Sequence, residues 1–125
     1  MRLPTVDEVV TVFEEAGVIM QEATLSGDYR KNNRQHKKLE KYYKLYSEYP
    51  DLCHACIDRL IESENVVTRT NAAACSIAFE YELDRAEVVL QDIASGRNDI
   101  FGFNAEMTLK VWKKQGYLDF CLSRK

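Results

Sequence analysis

Residues 51–61 read DLCHACIDRLI, and the way this stretch folds decides how the rest of the chain is read. Cys53 and Cys56 stand three apart with His54 between them, as at the start of a metal knuckle or a redox dithiol. The same residues also fit a helix. Leu52, Cys53, Cys56, Ile57, Leu60 and Ile61 recur at i, i+1, i+4, i+5, i+8 and i+9, one continuous apolar stripe that takes in both cysteines and leaves His54 aside. A structural zinc site needs four ligands. No second C-x-x-C or H-x₃-H pair is present, so Cys75, Cys121 and His36 would have to converge from three other helices. The redox reading gains from Asp51, which as N-cap would put Cys53 in the first helical turn, where the helix dipole stabilises a thiolate. A thioredoxin-like dithiol follows a strand, however, and the segment before this one is rich in lysine and tyrosine at helical spacing. Cysteine is also among the most commonly buried residue types. The stretch reads as the core face of a helix, with no metal and no cofactor expected.

Working outward, the same period recurs on both sides. Thr5-Val6-Asp7-Glu8 fits the T-x-x-E capping box, followed by Val6, Val9, Val10, Phe13, Ala16, Met20 and Ala23 at helical spacing and Gly27 as the stop. Asp28 can cap a second helix to about Glu48, with Asn32, His36, Leu39, Tyr43 and Tyr46 on one face and Arg30, Arg34, Lys37, Lys41 and Lys44 on the other. After residues 51–61, Asn65 caps a helix of about 66–80 that turns Val67, Ala73, Ala74, Ile77, Ala78 and Tyr81 inward. Asp84-Arg85-Ala86-Glu87 opens another, which buries Ala86, Val89, Leu90 and Ile93 and stops at Gly96. A last helix, about 103–115, presents Ala105, Leu109 and Trp112 and ends at Gly116. Tyr117, Leu118, Phe120 and Leu122 then form an apolar tail expected to fold back on the core. No run alternates as a strand does. The pattern predicts an all-α chain of six or seven helices in a single domain. Asn71-Ala72 recurs as Asn104-Ala105, a spacing in the range of helical repeats.

Composition narrows the function classes. At 125 residues with 46% apolar and 30% charged, the chain is long enough for one substantial core. No apolar run approaches the ~20 residues of a membrane span, and MRLPTVDEVV lacks the apolar segment of a secretory signal. With four cysteines and no such signal, a reducing cytoplasm is expected. Net charge is −3, but residues 30–44 hold seven of the 17 basic residues and only Glu40 as an acid, so that segment carries +6 and the remainder −9.

Three surfaces are candidates for binding. Arg30, Arg34, Lys37, Lys41 and Lys44, with Tyr29, Tyr42, Tyr43 and Tyr46 nearby, resemble a nucleic-acid surface. The commoner outcome is a solvated face paired with neighbouring acids. Asn32, Asn33 and His36 form a polar trio on the inner side of the same helix, read as a satisfied network, with the lining of a cleft as the alternative. Glu62 and Glu64 at one helix junction, with Glu80, Glu82 and Glu87 at the next, would make a negative edge for a basic partner if the junctions share one rim. Helix capping accounts for Asp84 and Glu87 without a partner. No Ser/His/Asp set, phosphate-binding glycine loop or H-E-x-x-H motif is present, so no catalytic residues are assigned and an enzyme is not expected.

Four stretches carry a family pattern: Val67-Thr68-Arg69-Thr70-Asn71-Ala72-Ala73, a version of a V-R-x-x-A-A helix start with Thr68 inserted, the run from Asp84 to Ala94, the run from Gly102 to Trp112, and Gly116-Tyr117-Leu118. Through them the chain from Asn65 to Phe120 resembles a family of small bacterial HEAT-like helical-repeat proteins of unknown function. Upstream, Tyr29 with Asn33-Arg34 is similar to the family's helix start. The resemblance implies a HEAT-like α-α superhelix of antiparallel helices. It also implies an immunity protein of a contact-dependent growth inhibition pair, a monomer or weak dimer that neutralises a basic, nuclease-type toxin through the acidic residues named above. The alternative expectation is a nucleic-acid-binding or adaptor module that uses the basic helix.

Overall fold

Thr5 opens the first helix with the predicted reciprocal cap. Its Oγ1 accepts from the Glu8 amide at 3.2 Å, and the Glu8 carboxylate accepts from the Thr5 amide at 2.8 Å. Arg2 also donates to that carboxylate, and these bonds hold the Glu8 carboxyl down at about 2. The computed structural model describes residues 2–119 and contains six α-helices: α1 (Val6–Ser26), α2 (Tyr29–Glu48), α3 (Pro50–Leu60), α4 (Val66–Ala78), α5 (Leu83–Gly96) and α6 (Ile100–Gln115). No strand occurs among the described residues, so the chain is all-α. Gly27 at φ 76° and Gly116 at φ 86° end α1 and α6 in the left-handed conformation that glycine adopts without strain.

Helices α1 and α4 lie side by side at the centre. The hairpin of α2 and α3 closes over α1, and α5 and α6 close over α4. Two features of the sequence allow the central contact. Gly17 has no side chain where α1 meets α4: a Cβ there would lie 1.8 Å from Thr68 Oγ1. On α4 the six consecutive residues Ala72, Ala73, Ala74, Cys75, Ser76 and Ile77 are all buried, so this helix is enclosed on nearly its whole circumference rather than on one stripe. Small side chains let several helices approach it at once.

Aromatic residues fill the other end of the core. Phe13 stacks on Tyr46 with ring centres 5.7 Å apart and meets Tyr42 and Tyr43 edge-on. Tyr46 in turn meets Phe79 edge-on at 5.8 Å.

Residues 51–61 lie inside this core. Cys53, Cys56 and Cys75 are free thiols, each buried, in the same core as the buried Tyr46. Burial pushes both the Cys56 thiol and the Tyr46 hydroxyl up, away from ionisation. The expected Asp51 cap is corrected. Tyr49 is the N-cap, Pro50 takes the first helical position and Asp51 sits in the first turn. The Cys53 amide already donates to Tyr49 O at 3.1 Å, so Cys53 lies past the orphan amides that would favour a thiolate.

The α5 start is corrected as well. Glu82, in the left-handed region at φ 54°, is its N-cap and makes no side-chain cap bond, so Asp84 and Glu87 form no capping box. Helix α6 begins three residues earlier than its apolar pattern suggests, because the Asp99 carboxylate accepts from the Phe101 and Gly102 amides at 3.1 Å. Leu118 returns to the core as expected and Tyr117 stays exposed. Phe120, Cys121 and Leu122 lie outside the described residues.

Candidate functional site: an amide-lined cleft beside a basic helix

The inner face of α2 changes character along its length. Leu39, Tyr43 and Tyr46 are buried, whereas about one to three turns earlier Tyr29, Asn32, Asn33 and His36 border an open cleft of about 680 Å³. Asp28 fixes the start of this half by accepting from the Lys31 amide at 3.1 Å. Met20, Val67, Ala74, Phe101 and Leu118 supply an apolar floor, and Asn104, Met107, Thr108 and Val111 of α6 form the opposite wall. Glutamate and aspartate are absent from the lining among the described residues.

Carboxamides therefore reach the cleft from three helices. Asn32 Nδ2 donates to Thr24 Oγ1 at 3.0 Å and Asn71 Nδ2 to the Tyr43 hydroxyl at 2.9 Å. The side-chain amides of Asn33 and Asn104 have no hydrogen-bond partner among the described residues. Of the trio expected to form a satisfied network, only Asn32 does so; Asn33 and His36 line open space, which corrects the structural reading of those two. Partial burial holds the His36 imidazole below its ordinary pKa, since it disfavours the charged ring. The 33-residue echo acquires a spatial meaning: Asn71 and Asn104 both line the cleft, while Ala72 and Ala105 are buried behind them.

The basic helix face adjoins this cleft. Arg30, Arg34, Lys37, Lys41 and Lys44 are all exposed, and none of the seven basic side chains of residues 30–44 forms an ion pair among the described residues. The expected pairing with neighbouring acids is thus corrected. Helix geometry places Arg30 and Lys37 beside Asn33, at i−3 and i+4, so the cationic face begins where the α2 wall of the cleft ends. Arg30 lies over the Tyr29 ring at 5.9 Å and Lys41 over Tyr42 at 5.2 Å.

The five candidate acids are not brought together. Glu62 and Glu64 precede the N-cap of α4, and Glu80 and Glu82 follow its C-cap, so the 13 residues of α4 separate the pairs by about 20 Å. Glu62 and Glu64 border a shallow polar hollow with Asp92, but also with Arg69 and Arg97. Glu87 is half-buried and paired with Lys113 at 2.8 Å. A single acidic rim does not form, because α4 runs between the two junctions rather than alongside them.

Two features were missed in the sequence. Ile100, Phe103, Met107 and Val111 form an exposed apolar stripe on α6 whose i, i+3, i+7, i+11 spacing is legible in hindsight. Tyr81, expected to point inward, stacks on His54 at 3.9 Å and donates to Asp58 at 2.9 Å, and Asp58 also accepts from Arg85 at 2.8 Å. That cluster fastens the α4–α5 turn to α3, and only its spatial arrangement reveals it.

Chemically, the cleft can bind but holds no activated nucleophile among the described residues. The Thr70 and Thr108 hydroxyls donate to the carbonyls of Val66 and Asn104 on their own helices, and His36 makes no hydrogen bond to a hydroxyl. No group of three His, Cys, Asp or Glu among the described residues is arranged to hold a metal, and no helix there is long and apolar enough to cross a membrane. No known protein family, curated protein or solved structure matches the chain.

Proposed function

We propose that this chain is a non-catalytic binding protein that captures an anionic partner at the cleft and on the adjoining basic face of α2. The observation that carries this reading is the juxtaposition, among the described residues, of a row of cations without ion pairs and a cleft whose lining contains no carboxylate. Cations already paired with acids would have to be released before they met a ligand. These remain hydrated and available. The −9 carried by the rest of the chain repels anions elsewhere, so the field of the molecule orients an anionic partner toward α2.

Toxin neutralisation through Glu62, Glu64, Glu80, Glu82 and Glu87 is supported less well, because the first four lie in two pairs at opposite ends of α4 and Glu87, on α5, is paired with Lys113. A partner engaging the cleft would be acidic where it binds, not basic. The test is a titration with two polyanions, poly-L-glutamate and polyuridylate, at low and moderate salt. At least one should bind, with affinity falling roughly tenfold or more between ~50 and ~200 mM salt, and the triple variant Arg34→Glu, Lys37→Glu, Lys41→Glu should not bind. Failure of both polymers at low salt, or wild-type binding by the triple variant, overturns the reading.

A further inference from the structure

Resting on that reading, we infer that the anionic partner is a protein, held by an extended acidic segment lying in the cleft. The cleft offers three kinds of chemistry at once: free carboxamides, an apolar floor and a cationic edge. Each carboxamide carries two N–H donors and a carbonyl acceptor, the complement of a peptide unit. Asn33 on α2 and Asn104 on α6 face the cleft with both capacities unused, and Asn71 stands on α4. An extended chain brings an unpaired N–H and C=O at every residue, and its side chains alternate between two faces. One set would enter the floor of Met20, Val67 and Phe101, and the other would turn toward Arg30, Arg34 and Lys37.

The competing occupants fit less well. An amphipathic helix has already satisfied its own backbone, so it would cover the free amides of Asn33 and Asn104 without pairing them, and buried unpaired amides are costly. A single-stranded nucleic acid adds to its phosphate contacts the stacking of bases on exposed rings, about 1–3 kcal/mol per base. Among the lining residues Tyr29 is the one exposed tyrosine or phenylalanine, and Arg30 already lies over it. A nucleic acid also carries a charge at every nucleotide, and past the basic row those charges would meet the acidic remainder of the chain. The basic row from residue 30 to 44 spans about 21 Å, which an extended chain covers in about seven residues. The required segment is therefore short.

The experiment is a selection from a display library of random peptides about ten residues long, run against the intact protein beside a selection from a random single-stranded RNA pool. Acidic peptides with alternating apolar residues should be enriched. The double variant Asn33→Ala, Asn104→Ala should bind the selected peptide roughly tenfold more weakly, with unchanged thermal unfolding, because neither amide is bonded in the free protein. Backbone N-methylation of the same peptide should produce a comparable loss. Undiminished binding by the double variant, or by the N-methylated peptide, overturns recognition of an extended backbone. RNA enrichment that depends on the α2 cations, without acidic peptides, overturns the polypeptide partner and leaves the anionic reading standing. If neither pool enriches and the polyanions also fail, the anionic reading falls with it.

Discussion

The two halves of α2 share one helix and one amphipathic pattern, yet they end in opposite states. From Leu39 to Tyr46 the inner face is apolar and aromatic, and it closes against Phe13 and Phe79 through stacked and edge-on rings. From Tyr29 to His36 the positions equivalent by period are asparagine and histidine, and there the helices leave a cleft of about 680 Å³. The difference follows from desolvation. A buried phenyl or phenol ring gains free energy on leaving water, whereas a carboxamide must find partners or stay wet. Closing the second half would strand the amides of Asn33 and Asn104, so the amphipathic helix is completed by solvent at one end and by protein at the other. The lesson is that a helical period marks a face for contact and leaves side-chain polarity to decide what makes the contact.

The sharpest way to break this comparison is at Phe13. Phe13→Ala removes the ring on which Tyr42, Tyr43 and Tyr46 converge and should cost about 3–5 kcal/mol of stability in a denaturant titration. Asn33→Ala, two turns from the closed half, should change stability by less than about 0.5 kcal/mol, since an exposed unpaired amide contributes to binding and not to folding. If the two substitutions cost the same, the halves do not differ as described.

Next in size is the seam beneath the cleft. Gly17→Ala puts a methyl group against Thr68 Oγ1 where α1 and α4 touch. Overpacking of that kind costs about 1–3 kcal/mol, against a helix-propensity gain of about 1 kcal/mol, so a net loss of up to about 2 kcal/mol is expected in the same titration. Gly96, with open space around the position of its missing Cβ and no positive φ, is the control. Gly96→Ala should be neutral or slightly stabilising.

Tyr43 joins the halves. It packs with Phe13 in the closed half, and its hydroxyl accepts from Asn71 Nδ2, whose residue lines the cleft. Tyr43→Phe keeps the ring and removes the acceptor, for an expected loss of about 1 kcal/mol. Affinity for poly-L-glutamate should be retained, because Tyr43 is not part of the cleft lining.

Those residues also show how far the sequence could be read. The capping box at Thr5, the glycine stops at Gly27 and Gly116 and the stripe through Cys53 and Cys56 were legible because each depends on local geometry. The α3 start lies two residues before the position expected from Asp51, because Pro50 favours the first helical position and puts the cap at Tyr49. The enclosure of α4 was only half legible, since a run of alanine, cysteine and serine has no periodicity to show how many neighbours it meets. The cleft was the least legible feature. Asn33, Asn71 and Asn104 lie on three helices, and only the packing of α1 against α4 fixes where α2 and α6 stand opposite one another. Two signals pointed to it, the polar trio of Asn32, Asn33 and His36 and the 33-residue echo.

The smallest effect expected concerns His36, and it separates folding from binding by sign. Its folded-state pKa lies below the unfolded value near 6.5, because the cleft wall partly desolvates the ring. Above that pH both states are neutral and the histidine contributes no pH dependence. As pH falls through 6.5 the unfolded chain takes up the proton first, so stability declines until the folded-state pKa is also passed. An acidic ligand in the cleft reverses the preference at the ring, since a nearby carboxylate favours the imidazolium. Affinity should therefore rise over the same interval, between about pH 7.5 and 5.5, in which stability falls. His36→Gln should flatten both trends while preserving affinity at pH 8. Parallel melting curves and poly-L-glutamate titrations across this range would detect it. A wild-type affinity that falls together with stability as the pH is lowered would place the ligand away from this wall of the cleft.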